Sequence, residues 1–443
     1  MAQKNHKIIL RSYYAVQVEL RSPLSVSNGE DYYTDSDVVR NGAGEVFVPG
    51  TSLAGAFRHY LGLKKNEAGS FGFSRGKEGR MSSFSFSDLY FSDKARVGIR
   101  DGVMLSEGKT VENKFDREMI ESGAQGTLFF GYVVREEETK EEFAQTVCLL
   151  LQGLEEGEIR LGAKKNRGFG RIRIQTVSER TFQAGETEEW LEFLADPRDP
   201  KHYGKNERYQ EWIQEKKQKT GRYIRIRVPL KQRGGISIRR YSARPDQEDF
   251  EHITCNGMPV IPGTSWNGAI RADAREILQE LGCKYTARLL NRWFGHVEKE
   301  AVQSQVVVAE SEIQDAVRLS MTRNRVNRFD ASAGDGALYS EASYFNGTTW
   351  LELLIRKDEQ KNYLALVGIL QLVILDLQKG YLAVGGQTAV GRGIFQADTR
   401  QEIEYSEPCP EKDCLSALYE AITSDIITCN AAAKEGERCV GRS

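Results

Sequence analysis

The sequence predicts an α+β protein made of two tandem copies of one domain, each ordered strand, helix, strands, helix, strand. The chain has 443 residues, a length that favours two domains of roughly 150–200 residues over one core. A block of eleven residues recurs, because VPGTSLAGAFR at 48–58 and IPGTSWNGAIR at 261–271 share seven identities. A glycine-rich loop and a strand also close each copy, as GAKKNRGFGRIRI at 162–174 and GGQTAVGRGIF at 385–395. Both blocks recur in the same order, which indicates a duplicated domain.

Each copy begins with a strand whose side chains alternate between apolar and polar. Residues 14–20 read YAVQVEL and residues 223–228 read YIRIRV. A period of two predicts a strand with one buried face. A later strand of each copy is predicted at 126–134 and at 347–355 from runs rich in aromatic and branched residues.

A helix is predicted directly after each Pro-Gly-Thr-Ser block, and a second, more apolar helix at 142–154 and at 363–377. Hydroxyl side chains at a helix start accept hydrogen bonds from the unpaired backbone N–H groups, so we expect one to act as the N-cap. The candidates are Thr51 or Ser52 and Thr264 or Ser265.

This order of elements is the βαββαβ pattern of a ferredoxin-like, RRM-like domain with an antiparallel sheet and inserted hairpins. We predict a first domain at 1–179, a charged and partly helical connector at 180–221, a second domain at 222–400 and a C-terminal tail at 401–443.

Composition constrains the functional classes. Lysine and arginine number 61 and aspartate and glutamate 63, so the formal charge is −2 and any basic surface must be local. The longest apolar stretch, at 363–377, is shorter than the roughly 20 residues of a membrane span, and no secretory signal is apparent. Seven scattered cysteines do not suggest a disulfide framework. We expect a soluble, cytoplasmic protein without membrane contact.

The glycine-rich loops are candidate phosphate-binding sites. Glycine allows the backbone N–H groups to approach a phosphate closely, and nearby cations add sequence-independent affinity. The alternative is a tight turn with solvated lysines, but recurrence of the loop in both copies favours binding. The candidates are Lys164, Lys165, Arg167, Gly168, Gly170 and Arg171 in the first copy, and Gly385, Gly386, Gly391, Arg392 and Gly393 in the second.

The two helix starts offer similar chemistry, because a helix N-terminus carries unpaired N–H groups and a partial positive charge. An arginine lies two turns further along each helix, where it either contacts phosphate or forms a surface ion pair. The candidate phosphate-binding residues of these segments are Gly50, Thr51, Ser52, Arg58, Gly263, Thr264, Ser265 and Arg271.

These segments together resemble the RAMP superfamily of CRISPR-associated proteins, and in particular the backbone subunits of type III effectors. The likeness includes IRDGVM at 99–104 and VENKFDRE at 111–118, with a looser version, RNRVNRFD and GALY, at 323–330 and 336–339. A chain with two copies resembles the tandem backbone subunit of type III-D-like complexes. The resemblance implies binding of CRISPR RNA, pairing of that guide with complementary target RNA, and assembly with other CRISPR effector subunits.

The resemblance also implies a catalytic aspartate. Family members that cut target RNA carry it between the first strand and the first helix, before a short apolar pair and a cation. Asp35 takes that place in DSDVVR at 35–40, with Asp37 as a close rival, and Asp249 takes it in DFEHIT at 249–254. The second copy departs from the pattern because Thr254 replaces the cation. Cutting in the family requires a divalent metal, which implies Mg²⁺; its protein ligands are not apparent from the sequence.

Three other functions remain open at this stage. A guide-holding scaffold would share every feature except cutting by the two aspartates. A ribonuclease that processes precursor CRISPR RNA would favour a catalytic histidine near the first helix, and His59 is its support. A general single-strand RNA-binding protein would show no preference for a CRISPR repeat. His252, three residues after Asp249, is a further candidate for mutation.

Overall fold

The computed structural model describes most of the chain. It describes residues 7–27, 29, 34–62, 70–76, 78–92, 95–105, 111–206, 209, 211, 221–241, 248–296, 301–324, 326, 328–329, 332, 338–358 and 361–423. The predicted segment at 336–339 lies partly outside these residues, as do parts of the segment at 323–330 and of the connector.

The chain divides into two compact units. The first comprises residues 1–165 and 169–221, and the second comprises Asn166–Gly168 and Arg222–Ser443. The described residues form seven α-helices and several antiparallel sheets, which confirms the predicted α+β class.

Among its described residues, the first unit has the strands β1 to β13 and three named α-helices. The strands are β1 (Ile8–Leu20), β2 (Phe47–Val48), β3 (Phe73–Arg75), β4 (Glu78–Arg80), β5 (Phe84–Phe86), β6 (Leu89–Phe91), β7 (Val97–Ile99), β8 (Gly102–Leu105), β9 (Val111–Phe115), β10 (Glu118–Ile120), β11 (Gln125–Arg135), β12 (Ile172–Gln183) and β13 (Gly204–Lys205). The helices are α1 (Gly50–Leu61), α2 (Lys140–Glu155) and α3 (Thr187–Ala195).

The main sheet of the first unit has the order β13-β12-β1-β11-β6-β2, and β1 pairs antiparallel with both β11 and β12. Alternate side chains of β1, from Tyr14 to Leu20, are buried against α1 and α2. On α1, Leu53 and Phe57 reach this core because residues four apart share a helix face.

Helix α3 lies against β1 and β12 within the same unit. The ring of Phe193 packs 4.7 Å from that of Tyr13 and 5.3 Å from that of Phe182, and the indole N–H of Trp190 donates to the Tyr13 hydroxyl. The segment between the copies is therefore packed onto the sheet of the first unit.

In the part of the second unit that the structure describes, there are the strands β14 to β26 and four α-helices. The strands are β14 (Tyr223–Gln232), β15 (Gly235–Ile236), β16 (Arg239–Tyr241), β17 (Phe250–His252), β18 (Thr254–Cys255), β19 (Met258–Ile261), β20 (Val306–Val308), β21 (Ser311–Glu312), β22 (Val317–Arg323), β23 (Tyr339–Phe345), β24 (Thr348–Arg356), β25 (Phe395–Ala397) and β26 (Glu404–Tyr405). The helices are α4 (Gly263–Glu280), α5 (Thr286–Phe294), α6 (Tyr363–Lys379) and α7 (Glu411–Thr423).

Its main sheet has the order β20-β24-β14-β25, again with the first strand of the copy next to the last, and β26 also pairs with β14. Helix α6 is the centre of the core, because most of its side chains from Ala365 to Leu377 are buried. Helix α7 packs on α6, and its Cys414 and Leu418 belong to the same core. No helix in the described part of the chain is long and apolar enough to cross a membrane.

The helix starts differ from the expectation in their capping. Pro49 and Pro262 are the N-cap residues of α1 and α4, and neither helix has a side-chain cap of the predicted kind. Each helix begins at the glycine that follows the proline, so the threonine and the serine lie two and three positions after the N-cap, inside the first turn, and cannot cap it.

A tight backbone crossing is common to both glycine-rich loops. Gly170 and Gly393 have φ of 76° and 72°, and a Cβ on either would overlap the carbonyl oxygen of Leu161 or Val384. Both positions therefore require glycine for conformation and for space.

We expect Gly393→Ala to destabilise the second unit by about 3 kcal/mol, since it adds overpacking to left-handed strain. Chemical denaturation measures this loss. Gly282→Ala is the matched control, because Gly282 also has positive φ but faces open space, so we expect a loss of only about 1 kcal/mol. Equal losses in the two variants would contradict the close packing at Gly393.

Candidate nucleic-acid interface

The loop aspartate of the first copy is exposed and held by reciprocal hydrogen bonds. The backbone N–H of Asp35 donates to Oδ1 of Asp116 at 2.9 Å, and the N–H of Asp116 donates to Oδ2 of Asp35 at 3.0 Å. Each carboxylate thus caps the backbone of the other residue, and Asp35 is exposed whereas Asp116 is partly buried. Asp116 ends the segment at 111–116 that includes β9, so the inserted hairpin fixes the position of Asp35.

The second copy repeats this arrangement with one change. The N–H of Asp249 donates to Oγ of Ser340 at 3.1 Å, and the N–H of Ser340 donates to Oδ2 of Asp249 at 2.7 Å. Asp249 is exposed like Asp35. The two aspartates therefore occupy equivalent settings, although the first has a carboxylate as its partner and the second a hydroxyl.

Asp37, the rival to Asp35, has a different environment. Its side chain is only 4% exposed and accepts hydrogen bonds from the backbone N–H and the hydroxyl of Thr34, at 2.9 and 2.8 Å. These bonds form a local turn. Of the two carboxylates, Asp35 is the one that reaches solvent.

A buried glutamate supports the aspartate loop of the first copy. Glu118 accepts two hydrogen bonds from the guanidinium of Arg40, at 2.7 and 3.0 Å, and one from the N–H of Val38. The cation of the DSDVVR segment is therefore engaged within the unit, in a bidentate pair that fixes the loop's far end.

A buried glutamate also lies beneath the second glycine-rich loop. Glu341 is fully buried, accepts a short hydrogen bond from the hydroxyl of Ser237, and accepts another from Nε2 of Gln387 at 2.7 Å. Nε of Arg239 lies 3.7 Å from its Oε1. Sequence analysis missed both glutamates.

His59 and His252, the two histidines considered as candidates, have different environments. His59 is exposed in the last turn of α1. His252 is 3% exposed; its Nδ1 accepts from the N–H of Ile238 and its Nε2 lies 3.0 Å from the carbonyl of Val260, both at hydrogen-bonding distance. His252 is therefore the neutral tautomer with a proton on Nε2, and it acts as a bridge inside the second unit.

The first glycine-rich loop is partly packed. Lys164 lies 5.5 Å from the ring of Phe115, and burial lowers the pKa of Lys165. The N–H of Gly170 donates to the carbonyl of Pro23, and that of Arg171 donates to Oγ of Ser22. These bonds attach the loop to the segment that follows β1.

Asn166–Gly168 belong to the second unit. Burial lowers the pKa of Arg167 to about 10, and the like charge of Arg271 contributes in the same direction. Nη2 of Arg271 donates to Oδ1 of Asn291 at 2.9 Å, which attaches α4 to α5. A Cβ on Gly263 or on Gly168 would overlap backbone atoms, so both glycines are packing positions.

A carboxylate of the same unit binds the N-terminus of α1. Gly50 is buried, and its N–H donates to Oδ1 of Asp88 at 2.7 Å. A carboxylate at a helix N-terminus neutralises the partial positive charge there. Arg58 lies in the last turn of α1, roughly 12 Å along the axis from this end. At the corresponding starts, Thr51 and Thr264 are exposed, and Ser52 and Ser265 are partly buried.

The second glycine-rich loop combines a packed base with an exposed tip. The N–H of Gly386 donates to the carbonyl of Ser237, and that of Gly393 donates to the carbonyl of Gly235. Gly385 and Gly391 are exposed, and the side chain of Arg392 lies over the ring of Phe345 at 4.7 Å.

The partners of the aspartates were not identified from the sequence. Asp116 falls in the segment at 111–118 that carries the family likeness, and Ser340 directly follows the one at 336–339. The sequence therefore marked both segments. Identifying the pairs requires knowledge of contacts between residues that are 81 and 91 positions apart in the chain.

No group of three or more potential metal-binding side chains occurs among the residues that the structure describes. The donors at the loop aspartates are carboxylate and hydroxyl oxygens, the hard ligands that suit Mg²⁺.

Two copies of one α+β domain, each with a glycine-rich loop attached to the segment that follows its first strand, define a protein with a duplicated domain. The family model of the RAMP superfamily matches residues 17–173 and 219–396, and the chain belongs to this superfamily. Its members are generally CRISPR-associated RNA-binding proteins that bind CRISPR RNA and effector subunits. Comparison with curated proteins returns no match.

The setting of His252 predicts a pH effect on stability. Burial lowers its pKa to about 4, although the bond to Val260 acts in the opposite direction. The unfolded chain, with a histidine pKa near 6.5, therefore binds a proton that the folded chain does not. Stability should be unaffected by His252 above about pH 6.5 and fall by about 3 kcal/mol towards pH 4.

His252→Gln should remove this contribution. Urea unfolding of both proteins between these pH values should show a flatter pH dependence in the variant, even if the variant is less stable near pH 7. Parallel curves would show that His252 does not titrate on unfolding.

Proposed function

We propose that this chain is a guide-RNA-binding backbone subunit of a type III effector, and that it cuts target RNA paired with the guide. Asp35 is the principal catalytic residue in this proposal, and Asp249 is a second one. The observation that carries it is the matched setting of the two aspartates, exposed and fixed by reciprocal hydrogen bonds in both copies.

An exposed carboxylate on a rigid loop suits the chemistry of RNA cleavage. Attack by the 2′-hydroxyl on the neighbouring phosphate needs a group that accepts or orients its proton. One oxygen of Asp35 is engaged by the N–H of Asp116, which fixes the plane of the carboxylate. Preorganisation of this kind lowers the cost of positioning the reactive group.

Mg²⁺ fits the donors of the first copy better than those of the second. Asp35 and Asp116 present two carboxylates, whereas Asp249 has Ser340 as its neighbour. A bound Mg²⁺ would stabilise negative charge on the phosphate. We therefore expect the first site to cut faster.

Several features support the guide-binding role. The order β12-β1-β11-β6 supports a ferredoxin-like topology in the first copy, and β25-β14-β24-β20 does so in the second. The two family matches support the tandem, type III-D-like form. In this proposal the glycine-rich loops and exposed cations hold guide phosphates, other effector subunits assemble alongside, and the complex acts in the cytoplasm.

Cleavage of a labelled complementary RNA by the purified, guide-loaded effector complex with Mg²⁺ tests the proposal. Asp35→Ala should lower the rate of cleavage at one position of the target RNA by at least about a hundredfold, because general-base contributions are of this size. Asp249→Ala should do the same at a second position, and the double variant should lower the rate at both.

Asp196→Ala is the matched control, since Asp196 is an exposed aspartate at the end of α3. If all the variants bind guide RNA and cut target RNA like the wild type, the chain is a scaffold without a cutting role. Cutting of precursor RNA by the isolated chain, lost in His59→Ala, would instead indicate a processing ribonuclease.

A further inference from the structure

Three arginines of the second unit surround the buried Glu341. Arg239 lies on β16, Arg323 at the end of β22 and Arg392 in the second glycine-rich loop. Nε of Arg239 is 3.7 Å from Glu341, and Nη1 of Arg323 is 3.5 Å from Oε1 of Gln387, whose Nε2 donates to Glu341. One buried carboxylate thus organises side chains from separate segments.

The electrostatics of this cluster leave an excess of positive charge. Burial alone would raise the pKa of Glu341, but bonds from Ser237 and Gln387 and the charges of Arg239 and Arg323 outweigh it and lower the pKa. Burial lowers the pKa of Arg392, and the nearby charge of Arg323 lowers it further. Within the described residues of this cluster, three guanidinium groups are set against a single carboxylate.

The planes of two of these guanidinium groups are fixed by aromatic rings. Arg239 lies 4.5 Å over Phe250, and Arg392 lies 4.7 Å over Phe345. Stacking uses the face of a guanidinium, whereas its edge carries the N–H donors. Nε of Arg239 faces Glu341 and Nη2 of Arg392 contacts Sδ of Met321 at 3.8 Å, and the other N–H groups of each edge suit a planar or tetrahedral oxyanion. The neighbouring Gly391 is exposed, and its missing side chain leaves open space.

From this geometry we infer that Arg239, Arg323 and Arg392 form an oxyanion subsite that takes a phosphodiester of single-stranded RNA, with Glu341 as its positioning residue. The inference rests on the proposed function and adds two arginines that lie outside the glycine-rich loop. Phosphate contacts of this kind supply affinity without reading sequence.

The buried glutamate of the first copy has a different setting. Its buried Glu118 is engaged by Arg40 in a bidentate pair, and Phe169 precedes Gly170 where Arg392 precedes Gly393. The subsite is therefore assigned to the second copy.

Fluorescence polarisation of a labelled oligouridylate, titrated with the full chain over a range of salt concentrations, tests the subsite. Arg323→Gln and Arg392→Gln should each weaken binding about tenfold. Each should also reduce the slope of log affinity against log salt by about 0.7, the value for one single-strand phosphate contact.

Arg318→Gln is the matched control. Arg318 lies on β22 like Arg323, but its charge is balanced by Glu248 and Glu251, at 2.7 and 3.1 Å. This variant should keep the wild-type affinity and slope. Arg323→Lys should keep the slope while losing part of the affinity, and it serves if Arg323→Gln does not fold.

The outcomes separate the two proposals. A wild-type chain that binds no oligouridylate in the absence of guide RNA contradicts the proposed function itself. A wild-type chain that binds, together with Arg323→Gln and Arg392→Gln variants that behave like Arg318→Gln, overturns the subsite alone. Equal losses in all three variants would indicate diffuse electrostatic attraction and would also overturn it.

Discussion

The backbone crossing at the glycine-rich loop is the constraint on which both copies depend. Gly170 crosses Leu161, and Gly393 crosses Val384, at a distance that excludes any side chain. The same two glycines donate their N–H groups to the segment that follows the first strand, at Pro23 and at Gly235. The loop is thereby attached to the segment through which the chain leaves the sheet towards the loop aspartate. The proposed binding and cutting residues therefore share one structural support.

The buried glutamates add a second level of organisation, and here the copies diverge. Glu118 is matched by the bidentate Arg40 and serves mainly to fix a loop. Glu341 has several arginines near it, and its negative charge holds them close together. Burying a carboxylate costs free energy unless it is paired and hydrogen-bonded. The side chains around both glutamates must therefore keep a defined arrangement. A common framework has acquired different local chemistry in each copy.

Much of the fold could be predicted because its signals are local. Period-two alternation located β1 and β14, and apolar runs located α2 and α6 within a few residues. The N-caps could not be predicted in this way, because Asp88, far along the chain, bonds the first N–H of α1. The partners Asp116 and Ser340 and the bridging role of His252 likewise depend on pairings between distant segments, about which composition and spacing carry no information.

The position of helix α7 determines whether a further copy of the domain could stack on the second one. Gly368 on α6 lies so close to the backbone at Cys414 that a Cβ would collide with its carbonyl, and Leu418 completes the same contact. Proteins assembled from repeated units grow by offering an apolar face to the next unit, and they stop where a polar-backed element covers that face. Helix α7 covers α6 in this way, so another copy cannot stack directly onto this side of α6.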